Sequence, residues 1–370
     1  MKKILLFTPN YSLNSGHNQT FISTRINQYI KNNINVEVVT IQKKKRIIRK
    51  NSKFKVRSFE NYSELDFFLN KNIHQYDKIF IHFVTFQFIK IINKHKKKIF
   101  IWIHGIEAQK WKWYLFDIFN KPFWFLKHIV YNLIQLRNLK IYLTSNKNIK
   151  LIFVSKWMKE VFTEDLGINL KKHRYAIIPN PIDHIFFDKT KRDEKSQKNI
   201  LIIKNFASKK YAGDITVNYL LKLSKYKIFK KYNFTIVGKG KILDKNLNIL
   251  KFKNVKVKNQ FYSPKNIFKF HKDNSIFFYL TRMDAQSVTL SEALCSGMVC
   301  ISSNNTAIPE FISNKTNGFL INDFKQFRKI LIQLNQNKNL INKISRSAIK
   351  NSKFLKPENI FKMEKKFIKL

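Results

Sequence analysis

Short, mostly apolar runs recur along the chain with room for a helix between them, and this alternation limits the possible folds more than any other feature. Runs at residues 4–7, 36–41, 79–84, 99–103 and 151–154 have strand length, and a helix-period set, Phe21, Ile22, Ile26 and Ile30, stands between the first two. Runs without strict polar alternation suit strands covered on both faces, and helices between them make parallel βαβ units. After residues 175–178 comes Pro179-Asn180-Pro181, which continues neither a central strand nor a helix, and then a charged stretch at 189–198. The alternation then restarts: runs at 200–203, 234–237, 276–280 and 299–301, with helical patterns around 217–223, 267–271 and 290–294. Three helical patterns follow from about Phe324, the last opening at Pro357 and carrying Ile360, Phe361, Met363, Phe367 and Ile368. The fold class is α/β, with two Rossmann-like lobes facing across a cleft.

Length and composition agree with two lobes. A chain of 370 residues exceeds the usual size of one core, and 44% hydrophobic residues with 35 Phe exclude a disordered chain. The net charge of +48 favours anionic partners, phosphates or an acidic membrane face. Lysine is spread along the whole chain, which argues against a specific nucleic-acid surface. Cys295 and Cys300 form no CxxC pair and read as core thiols in a reducing compartment. The basic, then apolar start is interrupted by Pro9 and Asn10 and reads as a first strand rather than a signal peptide. No stretch is apolar enough to span a bilayer. The segment 111–136 comes closest; its Trp111, Trp113, Phe119, Phe123 and Trp124 alternate with Lys112, Lys121 and Lys127, which suits either a membrane interface or a covered core helix. The run Lys43, Lys44, Lys45, Arg46, Arg49 and Lys50 is either solvated or membrane-facing, and Asp188 and Asp193 read as solvated linker.

The richest chemistry lies between Thr281 and Gly297. A strand ends, a polar loop carries Asp284, a helix starts near Ser287 or Val288, and Glu292 falls inside that helix. A helix N-terminus at the carboxyl end of a parallel strand is a natural seat for a diphosphate, and a carboxylate such as Glu292 can accept a pair of vicinal hydroxyls. The alternative is a capped helix with a solvated Glu. Metal and nucleophile chemistry find no support: the nine histidines show no ligand spacing, and neither a GxSxG elbow nor a P-loop occurs.

Asp284-x7-Glu292, followed by Ala293 and Gly297, resembles the paired-acid signature of the group-one, family 4 retaining glycosyltransferases of the GT-B fold. Ile308-Pro309-Glu310, Asn317-Gly318-Phe319-Leu320 and the segment 177–183 around Pro179-Asn180-Pro181 resemble further elements of that family. The resemblance spans about residues 1–325 and is densest in the second half. It implies an N-terminal acceptor lobe over 1–182, a nucleotide-sugar lobe over 183–354, and a C-terminal helix over 355–370 that crosses back to the first lobe. Glu292 would hold the donor ribose, while Asp284 and the backbone of Ala285, Gln286, Ser287 and Val288 would meet the sugar, with Thr289 adding a hydroxyl toward the phosphates. Asp stands where the family usually has Glu, and Ser287 where it commonly has Gly. Lys204 with Lys209 or Lys210 resembles the family's Arg and Lys phosphate clamp, and Gly238-Lys239-Gly240 its Gly-x-Gly turn.

In the first lobe the loop Asn14, Ser15 and Gly16 lets backbone approach the donor phosphates or the acceptor, or is a plain βα turn. His104 follows the strand at 99–103 and by resemblance touches the donor sugar; otherwise it is structural. Glu107 is a candidate acceptor-binding or proton-accepting group, and Ser155 a helix cap. The resemblance implies transfer of a sugar, with retention and without a metal or cofactor, from a nucleotide-diphosphate sugar to a cell-surface glycan or glycolipid. The expected place is the periphery of the cytoplasmic face of an inner membrane. Rival readings are a non-catalytic nucleotide-sugar or glycan-binding relative, and a sugar phosphorylase or epimerase on the same fold.

Overall fold

The computed structural model describes residues 2–11, 20–43, 46–118, 122–146, 148–188, 194–246 and 252–370. The chain forms two compact units, one made mainly of Phe21–Pro181 with the strand Lys3–Phe7 and Pro357–Leu370, the other mainly of Ile182–Lys356.

The first unit holds β1 (Lys3–Phe7), β2 (Asn35–Ile41), β3 (Arg46–Asn51), β4 (Phe54–Phe59), β5 (Lys78–His82), β6 (Lys98–Ile103), β7 (Ile149–Phe153) and β8 (Tyr175–Ile177). They pair in the order β3-β4-β2-β1-β5-β6-β7-β8. All neighbours are parallel except β3, which runs antiparallel to β4. The central strands bury nearly every side chain, which is why they read as apolar runs rather than alternating ones: Leu5, Leu6, Phe7, Ile79, Phe80, Ile81 and Ile101 are fully buried.

Of the basic run near residue 45, Arg46, Arg49 and Lys50 lie on the edge strand β3, whereas Lys44 and Lys45 fall outside the described residues. A basic edge strand discourages pairing with another chain. The stretch 111–136 divides into a 3-10 turn, Trp111–Asp117, and the start of a long helix, Pro122–Ser145; Phe119 and Lys121 lie outside the described residues.

The last helix, Pro357–Ile368, belongs to the first unit. It buries Ile360, Phe361 and Ile368, and between them places Glu364 in the interior. Glu364 accepts from Arg25 Nε at 2.6 Å and from the Tyr29 hydroxyl at 2.6 Å, both on the helix Thr20–Lys31. Arg25 and Glu364 are each about 1% exposed, so neither charge has water to fall back on.

The second unit holds β9 (Asn199–Ile203), β10 (Asn233–Val237), β11 (Val255–Lys258), β12 (Ile276–Tyr279), β13 (Val299–Ser303) and β14 (Phe319–Ile321). The order β11-β10-β9-β12-β13-β14 is parallel throughout and is the dinucleotide-fold order 3-2-1-4-5-6. Strand order reverses between β9 and β12, and in such sheets ligands bind outside the carboxyl ends at that point. The helices Phe324–Gln336 and Lys338–Ser352 cover the core through Phe327, Leu331, Ile341 and Ile344. Cys295 and Cys300 are buried and unbridged.

Candidate functional site

In the second unit, the residues singled out from sequence converge on the carboxyl ends of β9 and β12. Lys204 follows β9 and is buried. Its Nζ donates to the Tyr211 carbonyl at 2.9 Å and to the Leu280 carbonyl, and lies 4.2 Å from the centre of the Tyr279 ring. Burial pushes the Lys204 pKa down to about 7, against the pull of Asp284 and Asp214. This ammonium is therefore poised at neutrality, where an arriving anion would restore its charge.

The loop is held in place by glycine. Gly238, after β10, has φ +144°, and a Cβ there would stand 1.8 Å from the Lys204 carbonyl oxygen. Gly240, at φ +143°, would place its Cβ 2.3 Å from Ala207 N. Two strand-end loops thus touch backbone to backbone, which only glycine permits.

Beyond Lys204, Ser208 caps the 3-10 turn Lys209–Tyr211. Arg282, just after β12, fixes this turn: its guanidinium meets Asp214 in two bonds of 2.7 and 2.8 Å, and Nη1 also donates to the Lys209 carbonyl at 2.6 Å. Its backbone N–H donates to the Lys210 carbonyl at 2.9 Å. A bidentate fork of this kind sets position as well as charge. Neither Arg282, quoted in the motif without a role, nor Asp214 was expected. The only sequence signal is an Asp in the first turn of the helix Gly213–Leu223.

Asp284 is half-buried in the following loop and accepts from the Tyr279 hydroxyl at 3.0 Å. Burial raises its pKa; Lys210, the Tyr279 hydroxyl, the Gln286 N–H and the Ser287 side chain oppose that rise. Tyr279 is a second partner that the apolar run concealed. Ser287 accepts from Leu290 N at 3.2 Å and caps the helix Val288–Cys295. Ala285, Gln286 and Ser287 are buried, while Val288 and Thr289 are partly open in the first helical turn, where backbone N–H groups have no acceptor inside the helix.

Glu292 lies one turn further on and is 9% exposed. Burial and the Asp183 carboxylate together push its pKa up to about 8, with no hydrogen bond opposing them. The helix capping expected from sequence is present, but Glu292 is not solvated. A buried carboxyl lacking such a bond is what a ligand's hydroxyl pair can satisfy.

In the first unit, Asn14, Ser15 and Gly16 lie outside the described residues. His104 follows β6, with Nε2 2.9 Å from His82 Nδ1. His104 stacks on Phe83 at 4.4 Å and contacts Phe21 at 5.1 Å. Burial, reinforced by the Arg25 cation, holds both imidazoles well below the usual histidine pKa, so both are neutral at pH 7. One hydrogen must lie between them. His82 Nε2 is buried with no partner among the described residues. A bare lone pair beside Arg25 costs less there than an orphaned N–H. His82 is therefore the donor, and His104 carries its own proton on Nδ1. The Glu107 carboxylate accepts from the His104 backbone N–H and shapes the turn after β6. Ser155 caps the helix Lys156–Leu166. No group of three or more His, Cys, Asp or Glu side chains suited to a metal occurs among the described residues.

Residues 185–351 match the family described as glycosyl transferases group 1. No curated protein matches the chain by sequence. Among solved structures, TarM superimposes with a TM-score of 0.75 at 13% identity, covering 100% of this chain and 99% of that one. Sucrose-phosphate synthase from Thermosynechococcus elongatus gives 0.75 at 10% identity, with coverage of 100% and 99%. Anabaena HepE in complex with UDP and glucose gives 0.73 at 12% identity, with 100% of both chains covered. Residues 185–351 of the second unit thus carry the group 1 glycosyl transferase match, and both units share the GT-B fold of these structures, two Rossmann-like lobes.

Proposed function

We propose that the protein transfers a sugar, with retention and without a metal ion, from a nucleotide-diphosphate donor to a cell-surface glycan such as lipopolysaccharide, lipooligosaccharide, capsule or a lipid-linked oligosaccharide. The observation that carries this reading is the pairing, at the switch point of one parallel sheet, of a buried lysine with a pKa near 7 and a buried carboxyl, Glu292, with no hydrogen bond opposing its burial. Lys204, aided by Lys209 or Lys210 and the first-turn N–H groups of Val288 and Thr289, would take the diphosphate. Fixed cations and N–H dipoles neutralise a departing diphosphate without a metal. Glu292 would take the ribose hydroxyls. Asp284 and the backbone of Ala285, Gln286 and Ser287 would meet the sugar, and Gly238 keeps the Lys204 loop in place.

In the first unit, His104 would donate from Nδ1 to a sugar oxygen. Glu107 would act through the turn that carries His104. The bond from the anomeric carbon to the phosphate oxygen breaks, and the bond to the acceptor oxygen forms on the same face. The acceptor's proton passes to the departing phosphate, because neither neutral His104 nor the turn-forming Glu107 is placed as a base. Peripheral location on the cytoplasmic face of a membrane belongs to the same reading, supported by the charge of +48.

The test is a thermal-shift screen against UDP, GDP, ADP, CMP and their sugar conjugates, with UDP first because the HepE structure holds UDP and glucose. One nucleotide diphosphate is expected to raise the midpoint, and Glu292→Ala to abolish the rise. No shift with any of them would sink the reading in favour of a non-catalytic relative. Turnover with free phosphate in place of the acceptor would instead make the enzyme a phosphorylase.

A further inference from the structure

The helix Pro122–Ser145 is built inside out. Its protein-facing side carries His128, Asn132 and Gln135 among its buried residues, and its exposed side carries Phe123, Leu126, Val130, Leu133, Ile134 and Ile141. At 100° per residue those six fall within one stripe about 100° wide. Eight of the nineteen large hydrophobic side chains exposed among the described residues lie on this one helix, with Phe123 81% and Leu126 61% exposed. Scattered exposed apolar residues are ordinary, but a continuous stripe of them marks a contact surface.

Two of the buried polar side chains, Asn132 and Gln135, are engaged at both ends of their amides. Asn132 accepts from Trp111 N at 2.9 Å and donates to the Gln109 carbonyl at 2.7 Å. Gln135 accepts from Phe86 N at 2.6 Å and donates to the carbonyls of Val84 at 2.9 Å and Glu107 at 3.0 Å. Turning the helix over to hide the stripe would break these five bonds, so the exposed apolar face is enforced by the fold.

We propose that this face is a lipid-docking surface that lies flat in the headgroup region of an anionic bilayer, which deepens the membrane-surface part of the reading above. Three observations select this occupant. The helix contains no Asp or Glu, while Lys127, Arg137 and Lys140 sit on it, and the whole chain carries +48, so anionic headgroups are attracted and a second copy of the chain is repelled. No helix among the described residues is long and apolar enough to cross a membrane, whereas an apolar stripe flanked by Lys127 and Lys140, with Arg137 inside it between Ile134 and Ile141, suits the interface, where a long basic side chain reaches up to the headgroups. Beside the stripe lies a groove of about 460 Å³ lined by Phe86, Leu126, Val130, Tyr131 and Ile134 with Lys127 at its side, an arrangement that fits an acyl chain below a phosphate. Because Gln135 holds the Glu107 carbonyl, the docked helix also sets where the His104 turn stands relative to the lipid surface.

The test is co-sedimentation with vesicles of phosphatidylcholine alone or mixed with phosphatidylglycerol, without any sugar donor. The parent is expected to bind the anionic vesicles and to bind the neutral ones at least about tenfold more weakly. The triple variant Leu126→Gln, Val130→Gln, Leu133→Gln leaves the charge unchanged and is expected to lose about tenfold or more of the anionic binding while keeping the parent's thermal midpoint. Should that variant not fold, brominated lipid is expected to quench the parent's fluorescence, and Trp124→Phe to remove most of that quenching. Glu292→Ala is expected to bind vesicles like the parent, which separates failure of docking from failure of the transferase reading. Undiminished binding by the triple variant, equal binding to both vesicle types, or a parent dimer that the triple variant dissociates would overturn the proposal.

Discussion

Both units use the same device, a parallel sheet whose strand order reverses beside its first strand, yet they equip it differently. At the carboxyl edge of the second sheet, the functional groups are fixed by backbone: glycines that let two loops touch, a capped helix, and a lysine held by two carbonyls. In the first, His104 is fixed by side chains drawn from distant parts of the chain. His82, from β5, bonds its ring, and Arg25, from the first helix and held by Glu364 of the last, acts on it through its charge alone. A site built from backbone tolerates exchange of surrounding side chains but no added Cβ. A site built from a buried polar chain tolerates the reverse.

The largest expected effect comes from opening that buried chain. Glu364→Ala leaves the Arg25 guanidinium without its counter-charge, and equilibrium urea unfolding is expected to show a loss of about 3–5 kcal/mol. The double variant Arg25→Met, Glu364→Leu is expected to regain most of it. If Glu364→Ala were nearly neutral, the contrast between the two units would fail. Next in size is Gly238→Ala, whose Cβ would overlap the Lys204 carbonyl oxygen. A stability loss of about 2–3 kcal/mol, together with loss of nucleotide binding, is expected from strain at this φ. A fully stable Gly238→Ala protein with parental binding would show that the loops have room to part.

This contrast also decides what could be seen in the sequence. The alternation of apolar runs with helical segments was legible because both sheets are buried on both faces, and the segment from β12 into the helix Val288–Cys295 was legible because strand, loop, cap and helix adjoin. Arg282 with Asp214, and His82 with Arg25 and Glu364, were not: each partner looks unremarkable alone, and a contact across 68 or 339 positions leaves no local period. The edge hairpin β3-β4 was hidden by its lysines and arginines. The helix Pro122–Ser145 left two readings open because its composition is the same whichever side faces the protein, and the hydrogen bonds of Asn132 and Gln135 show only which side that is.

Lys204 provides a pH-sensitive comparison. Its pKa of about 7 in the free protein is expected to rise when a diphosphate binds, so that binding would take up a proton, with affinity full below pH 7 and declining above it. Calorimetry at pH 7.5 in two buffers of different ionisation enthalpy is expected to show this uptake. Lys204→Met is expected to abolish the uptake and to weaken binding by roughly 10- to 100-fold, the worth of a charged hydrogen bond. Uptake that persists in Lys204→Met would assign the titration elsewhere.

The smallest expected effect concerns Glu292, and its sign is the informative part. Its folded pKa of about 8 lies above the unfolded value, so the folded state retains a proton that the unfolded state releases. The resulting stability is complete below about pH 4.5 and is lost as pH rises toward 8. Glu292→Gln removes this dependence. Relative to the parent, it is expected to gain on the order of 1–2 kcal/mol between pH 5 and pH 8, while losing nucleotide binding. A functional carboxyl kept at a cost to the fold would then be separated from a structural one, since replacing a structural Glu destabilises the protein at every pH. A Glu292→Gln protein less stable than the parent at pH 8 would mean that the carboxylate has a partner within the fold, and the buried seat for a ribose would have to be sought elsewhere.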